Sequence, residues 1–524
     1  LSRQSFLQGA FILILAGLIV KILGFVNKIV VARIMGAEGV GLYSMAVPTL
    51  LLVITITQIG LPVAISKLVA EAEAVNNRKK IKQILVVALA TTGTLSIIFT
   101  FGMIAFAPII SKYFLTDARA FYPLVAISPI VPIVALSSVL RGYFQGRQNM
   151  RPSAYSQVIE QVVRITLVAV LTKAFLPYGI EYAAAGAMIS VVIGELASLL
   201  YMLFMFKTKK RIKIRKNFFG SLREGNRTFK DLMAVALPTT GSRLIGSISF
   251  FFEPIVVSQS LAIAGVTTVL ATKQYGELAG FAIPLLFLPT FITYSLSVSL
   301  VPAISEAAAG KQYKLIHHRL DQALRLALVS GGISCVILYV FAVPIMSLMY
   351  DAPTVATYIK IMAPFSIFLY FQGPLQAALQ ALNLAKAAMI NSLIGAVVKI
   401  SAVFVLASRP ELGIMGAALA IVAGFVLVTL LHFATLVKTI SFTIHVREFL
   451  KGFIAIILSG WLAFFLYNNA FLNQSLLVKT LISITIVSIV YVFILMIFGL
   501  IRKDEMRRVP FLGIPLSKLI ISKK

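Results

Sequence analysis

The sequence predicts an all-α polytopic membrane protein of about fourteen transmembrane helices, arranged as two six-helix pseudo-symmetric bundles followed by two further helices. Three observations predict it. The chain is 59% hydrophobic and only 12% charged, with a mean hydropathy of +0.97, which no soluble globular class matches. Apolar stretches of about 20 residues, the length that crosses the hydrocarbon as a helix, recur along the whole chain. The positive charges also fall unevenly between the stretches, and the first six stretches resemble the next six.

The expected spans are 6–32, 41–65, 84–110, 123–143, 155–176, 183–206, 233–261, 277–304, 320–348, 358–381, 388–407, 414–437, 452–468 and 478–500. The first is read as a membrane helix and not as a cleaved leader. Its apolar run is too long, it carries Lys21 and Lys28, and it lacks a small-residue cleavage site. The single cysteine, Cys335, falls inside a span and cannot form an intramolecular disulfide.

A net charge of +29 would point to nucleic acid in a soluble protein, but its distribution points to topology. With the N-terminus inside, about 32 of the basic residues are cytoplasmic, about 5 external and about 10 within spans, which is the positive-inside asymmetry. Both termini are therefore expected on the cytoplasmic side of the plasma membrane. The densest run lies in 207–232, where Lys207, Lys209, Lys210, Arg211, Lys213, Arg215, Lys216, Arg223, Arg227 and Lys230 face only Glu224 and Asp231. Such a run suits anionic lipid headgroups. It carries no recognisable nucleic-acid-binding motif, so no nucleic-acid partner is expected.

The basic loop divides the chain into 1–206 and 233–437, with 438–501 holding helices 13 and 14 and 502–524 forming a basic cytoplasmic tail. Pro48 in Ala46-Val47-Pro48 matches Pro284 in Ala282-Ile283-Pro284, and Pro62-Val63-Ala64-Ile65-Ser66 matches Pro302-Ala303-Ile304-Ser305. Arg141 corresponds to Gln376 and Val163-Arg164-Ile165 to Val398-Lys399-Ile400. Six spans return the chain to its starting side, so the repeats are parallel, related by an axis along the membrane normal. Transporters of this construction bind cargo between their halves and rock to expose it alternately.

Four cations lie deep within spans: Lys21, Arg164, Arg243 and Lys399, with Lys28 intermediate. A cation at the bilayer centre costs roughly 2.5–3.5 kcal/mol on insertion scales, so these are expected to face one polar cavity. Arg141, Lys173, Arg325, Lys360 and Lys479 lie near span ends, where snorkelling to the interface is expected. Glu160 precedes Arg164 by four residues and can pair with it on one helix face. Glu253, followed by Pro254, is a candidate for binding a coupling cation or for ion pairing, and Glu195 is a third intramembrane acid. With more cations than carboxylates the cavity favours an anion, and arginine's planar fork suits phosphate. Gln58, Gln157, Gln161, Gln376, Gln380 and Asn391 add polar partners suited to sugars, or equally to helix-to-helix contacts. The chain contains no P-loop, no His-Glu-x-x-His and no nucleophile elbow. An enzyme is not expected, and no metal or cofactor is implied. Coupling to H+, Na+ or the membrane potential is left open.

Arg3-Gln4-Ser5-Phe6-Leu7-Gln8-Gly9-Ala10, Lys21-Ile22-Leu23-Gly24-Phe25, Gly39-Val40-Gly41-Leu42-Tyr43 and Gln58-Ile59-Gly60-Leu61-Pro62-Val63-Ala64-Ile65-Ser66-Lys67 resemble the polysaccharide-exporter branch of the multidrug/oligosaccharidyl-lipid/polysaccharide (MOP) flippase superfamily. That superfamily also holds lipid II flippases and multidrug-and-toxin-extrusion antiporters. The resemblance covers essentially the whole chain. It implies a flippase for an undecaprenyl-pyrophosphate-linked saccharide, serving spore cortex or cell-wall peptidoglycan synthesis. Lipid II flippases carry Arg-x-Leu-Gly-Phe-x-Arg in the first helix, lining the cavity. Here Lys21 takes the first arginine's place and Asn27 the second's, with Lys28 beside it. Two alternatives stay open. One is a cation-coupled multidrug antiporter, whose usual cationic cargo the expected cavity charge opposes. The other is a non-transporting scaffold that recruits cell-wall synthases through the basic segments, which leaves the deep cations without a purpose.

Overall fold

The computed structural model describes residues 6–208, 220, 222 and 224–501, with side chains from Ala16 onward except those of Pro238, Thr239 and Ser242. The tail at 502–524, most of the basic loop's cations and Ser221 lie outside the described residues. Every regular element among the described residues is helical. Twelve helical stretches there are long and apolar enough to cross a membrane. One of them, Ala16–Ala74, contains two expected spans, and the charged helix Arg151–Phe175 is not among the twelve. The fourteen expected spans thus each find a helical counterpart. Packing divides the chain into two compact units, Leu1–Gly280 and Phe281–Lys524.

In the first unit, α1 runs Phe6–Gln58. A straight helix of that length would measure about 80 Å, far more than the roughly 30 Å hydrocarbon. It breaks at Gly36, whose φ of 65° and ψ of −172° only glycine adopts readily. Ile59 and Gly60 end it with positive φ, and α2 (Leu61–Ala74) starts with Pro62 in its first turn, where a missing N–H costs nothing. The Asn77 side chain caps α3 (Arg78–Ile109) by accepting from the Lys80 N–H at 2.9 Å. Next come α4 (Phe121–Ile127), α5 (Ile130–Gly146), α6 (Arg151–Phe175), α7 (Ile180–Thr208), α8 (Asn226–Ile263) and α9 (Thr268–Tyr275).

The core of this unit gathers Leu61, Ile65 and Val69 of α2, Ile84 and Leu85 of α3, Tyr143 and Phe144 of α5 and Met202 of α7. Leu232 and Ala236 of α8 complete it. Helices α8 and α9, which the sequence repeat leads one to expect in the second bundle, fall within the first unit. A Cβ on Gly142 or Gly146 of α5 would meet the carbonyls of Pro62 and Ser66 at 2.8 and 2.6 Å. Small residues here let helix backbones touch, as membrane helix packing favours.

The second unit is built from α10 (Ile283–Phe287), α11 (Thr290–Ala309), α12 (Tyr313–Val340), α13 (Ala342–Tyr350), α14 (Ala356–Met362), α15 (Ser366–Ala381), α16 (Ala385–Ala407) and α17 (Gly413–Ile440). Leu300, Ile304, Leu320, Leu375, Leu379 and Leu436 form its main core. The last two helices, α18 (Val446–Asn469) and α19 (Leu476–Ile497), dock on α12. Tyr491 donates to the Val329 carbonyl at 3.1 Å, and Lys451 to that of Phe498 at 2.9 Å. Arg325, 1% exposed, donates to the Leu500 carbonyl and lies 3.6 Å from Glu448. The expected snorkelling of Arg325 is therefore wrong. Its charge caps carbonyls beyond the end of α19, where a cation is favoured.

Candidate functional site

In the first unit, α5, α6 and α7 bring four charged side chains together. Arg141 Nη2 donates to Glu195 Oε1 at 2.8 Å and stands 4.0 Å from Glu160 Oε2. Arg164 Nη2 donates to Glu160 Oε1 one turn along the same helix. Glu160 and Glu195 are buried, and Arg141 and Arg164 are largely so. The cluster sums to zero formal charge, so each ion is desolvated against an opposite one. The Glu160–Arg164 pair is the one the four-residue spacing allows. One reading changes: Arg141 does not snorkel, and it supplies Glu195 with a partner from 54 residues away.

Gly194 explains how α7 comes close enough. A Cβ there would lie 2.9 Å from the Glu160 carbonyl and 3.2 Å from Arg164 Cβ. The second unit repeats this contact: a Cβ on Gly424 of α17 would lie 3.2 Å from Lys399 Cβ. A second pair repeats as well, with Gly186 against the Leu171 carbonyl and Gly416 against that of Leu406. Residues 164 and 399, like 171 and 406, are 235 apart, while 194 and 424, like 186 and 416, are 230 apart. The same offsets put Gln376, Gly395 and Phe425 where the first unit has Arg141, Glu160 and Glu195. The scaffold is repeated and the carboxylates are not.

The other predicted site residues divide by accessibility. Lys21 and Lys28, seven residues apart and so on one face of α1, are both exposed. Asn27 turns inward and is buried, its Oδ1 without a hydrogen-bond partner among the described residues. Buried Gln161 likewise has an Oε1 with no hydrogen-bond partner among the described residues, 3.8 Å from where a Cβ on Gly24 would sit. Arg243 on α8 is exposed and makes no ion pair among the described residues. One turn on, the Ser247 and Thr55 hydroxyls share a hydrogen bond of 2.8 Å that ties this stretch of α8 to α1. Glu253 is buried on the same helix. Ten helical residues span about 15 Å, so Glu253 is out of reach of a direct pair with Arg243.

Gln58 ends α1 and is half-buried. In the second unit Lys399 is half-buried, while Gln376 and Gln380 are exposed on α15. Asn391 is helix glue: its Nδ2 reaches the Leu431 carbonyl at 3.1 Å and Thr435 Oγ1 at 2.9 Å. Lys173 and Lys360 are exposed, as expected of span ends. Lys479 stands 4.6 Å from the Tyr467 ring centroid, a cation–π contact. Among the described residues no cluster of His, Cys, Asp and Glu could hold a metal ion.

A repeated helix pair with cations on several apolar spans is the architecture of a polytopic membrane protein. The family model described as polysaccharide biosynthesis protein matches residues 6–308, and the MatE model matches 254–405; the chain belongs to the polysaccharide biosynthesis protein family. It is 60% identical to stage V sporulation protein B of Bacillus subtilis (strain 168), over 98% of this chain and 99% of that one. It is 24% identical to lipid II flippase MurJ of the same organism over 76% of each chain. A solved structure titled lipid II flippase MurJ, inward closed conformation, superposes with a TM-score of 0.70 at 18% identity, covering 93% of this chain and 98% of that one. At that identity the likeness shows the fold alone.

Proposed function

We propose that the protein is an alternating-access flippase that carries an undecaprenyl-pyrophosphate-linked saccharide, a precursor of cortex or cell-wall peptidoglycan or a related polysaccharide, across the plasma membrane. One observation carries this reading. The buried intramembrane carboxylates Glu160 and Glu195 are taken up by Arg141 and Arg164, while Lys21, Lys28 and Arg243 stay accessible on their spans. The accessible charge is therefore cationic, which selects an anionic cargo and opposes a cationic drug. A diphosphate offers several acceptor oxygens to one arginine fork and two lysine point charges.

The relatives support the reading, since one is named a sporulation protein and another a lipid II flippase. Lys399 supplies a further cation in the second unit. An H+ or Na+ gradient or the membrane potential would drive the cycle, with both termini on the cytoplasmic side. The test is flipping by purified protein in liposomes. Pyrophosphate-linked saccharide lipid should move, while the same lipid with its phosphates removed and a lipophilic cation should not. Transport of the cation alone would overturn the proposal.

A further inference from the structure

At one end of the first unit, three segments that are remote in sequence meet at the Asp117–Arg119 pair. Asp117, between α3 and α4, is 2% exposed. It accepts from Arg119 Nε at 3.1 Å, from Arg119 Nη2 at 2.9 Å and from the Arg119 backbone N–H at 3.0 Å. It also accepts from Thr272 Oγ1 of α9 at 2.7 Å. Arg119 Nη1 then reaches Glu38 Oε1, just after the Gly36 break, at 2.5 Å. A second hook lies beside it, where Gln259 Nε2 of α8 donates to the Tyr113 carbonyl at 2.6 Å.

Beneath these hooks the backbones are in contact. A Cβ on Gly41 would lie 2.0 Å from the Thr272 carbonyl, and one on Gly276 would lie 2.0 Å from the Ala37 carbonyl. The elements so held, α8, α9 and the turn that follows, belong by repeat to the second half of the chain. A carrier whose halves part must release them.

We infer that Asp117, Arg119, Thr272 and Glu38 form a latch that holds the α8–α9 corner against α1 and the α3–α4 turn, keeping this end of the first unit closed until transport opens it. The inference rests on the alternating-access reading above. Asp117 is the keystone because it takes a bond from Thr272 on one side of the closure and holds Arg119, which reaches Glu38, on the other. Burial by itself would raise its carboxyl, but the bonds from Arg119 and Thr272 hold it below the ordinary value. The carboxylate is therefore charged at neutral pH, and its contribution fades only as pH falls through that lowered value. Near neutrality the latch responds to conformation and not to pH.

The test uses full-length protein in liposomes without substrate, with Cys335→Ala and a reporter Ser44→Cys, since Ser44 lies half-buried near Gly280. Asp117→Asn should raise the rate of thiol alkylation about tenfold, the scale of losing charge-assisted hydrogen bonds. Thr272→Val removes one hydroxyl without changing shape and should give a smaller rise. Gly41→Ala places a methyl against the Thr272 carbonyl and should give the largest. Wild-type alkylation rates in both Asp117→Asn and Thr272→Val, with the proteins monodisperse, would overturn the latch. Because no cargo is present, failure of the flipping assay with these rates as expected would remove the cargo assignment and leave the latch standing.

Discussion

The two halves build the same helix pair and place different chemistry on it. In the first, Arg164 packs on Gly194 and its charge is consumed by Glu160, with Arg141 and Glu195 completing a neutral cluster. In the second, Lys399 packs on Gly424 in the same way, but Gly395, Phe425 and Gln376 occupy the places of the two acids and the second arginine. Backbone geometry has been kept while side-chain charge has diverged. A cation repeated in sequence is thus not a role repeated in chemistry. The first half's cluster clamps three helices together, whereas Lys399 brings a positive charge with no carboxylate at the corresponding positions.

The largest effect expected from this contrast is on folding. Arg141→Ala or Arg164→Ala should each destabilise the protein by about 3 kcal/mol, since one member of a buried pair is left stranded. Thermal unfolding in detergent measures it, and wild-type melting in both variants would break the comparison. Next, Gly194→Ala should cost about 2 kcal/mol because the added methyl meets the Glu160 carbonyl, which cannot yield without moving a helix. Gly424→Ala meets Lys399 Cβ and Cγ at 3.2 Å and no backbone carbonyl, so a small shift relieves it and it should cost about 1 kcal/mol. Equal losses would mean that the two glycine contacts do the same job. Smallest in stability, at about 0.5 kcal/mol or less, should be Lys399→Ala, yet it should slow flipping measurably. A variant that unfolds, or one that transports like wild type, would return Lys399 to a structural role.

The sequence revealed the helices because a membrane span must satisfy its backbone internally over some twenty apolar residues. It revealed their ends less well. Arg78 to Lys82 extend α3 upstream of the expected start at 84, since helix continues into charged residues that no hydropathy pattern includes. Glu160 with Arg164 could be read from spacing on one helix. Arg141 with Glu195, Asp117 with Thr272 and Arg325 with Leu500 could not, because each joins segments that only tertiary packing brings together. The glycines at 194 and 424 carried no signal until the helices they separate were placed.

The central claim is that the accessible intramembrane cations hold a pyrophosphate, and Arg243 tests it most directly. Flipping of a pyrophosphate-linked saccharide lipid should be measured in liposomes for Arg243→Ala, Arg243→Lys and Arg243→Ala with Glu253→Gln, each checked for folding. The account predicts loss in the first and partial activity in the second, where charge remains without the planar fork. It predicts no recovery in the third, because Arg243 makes no ion pair among the described residues. Recovery of flipping in the double variant would contradict it and make Arg243 the partner of a buried acid.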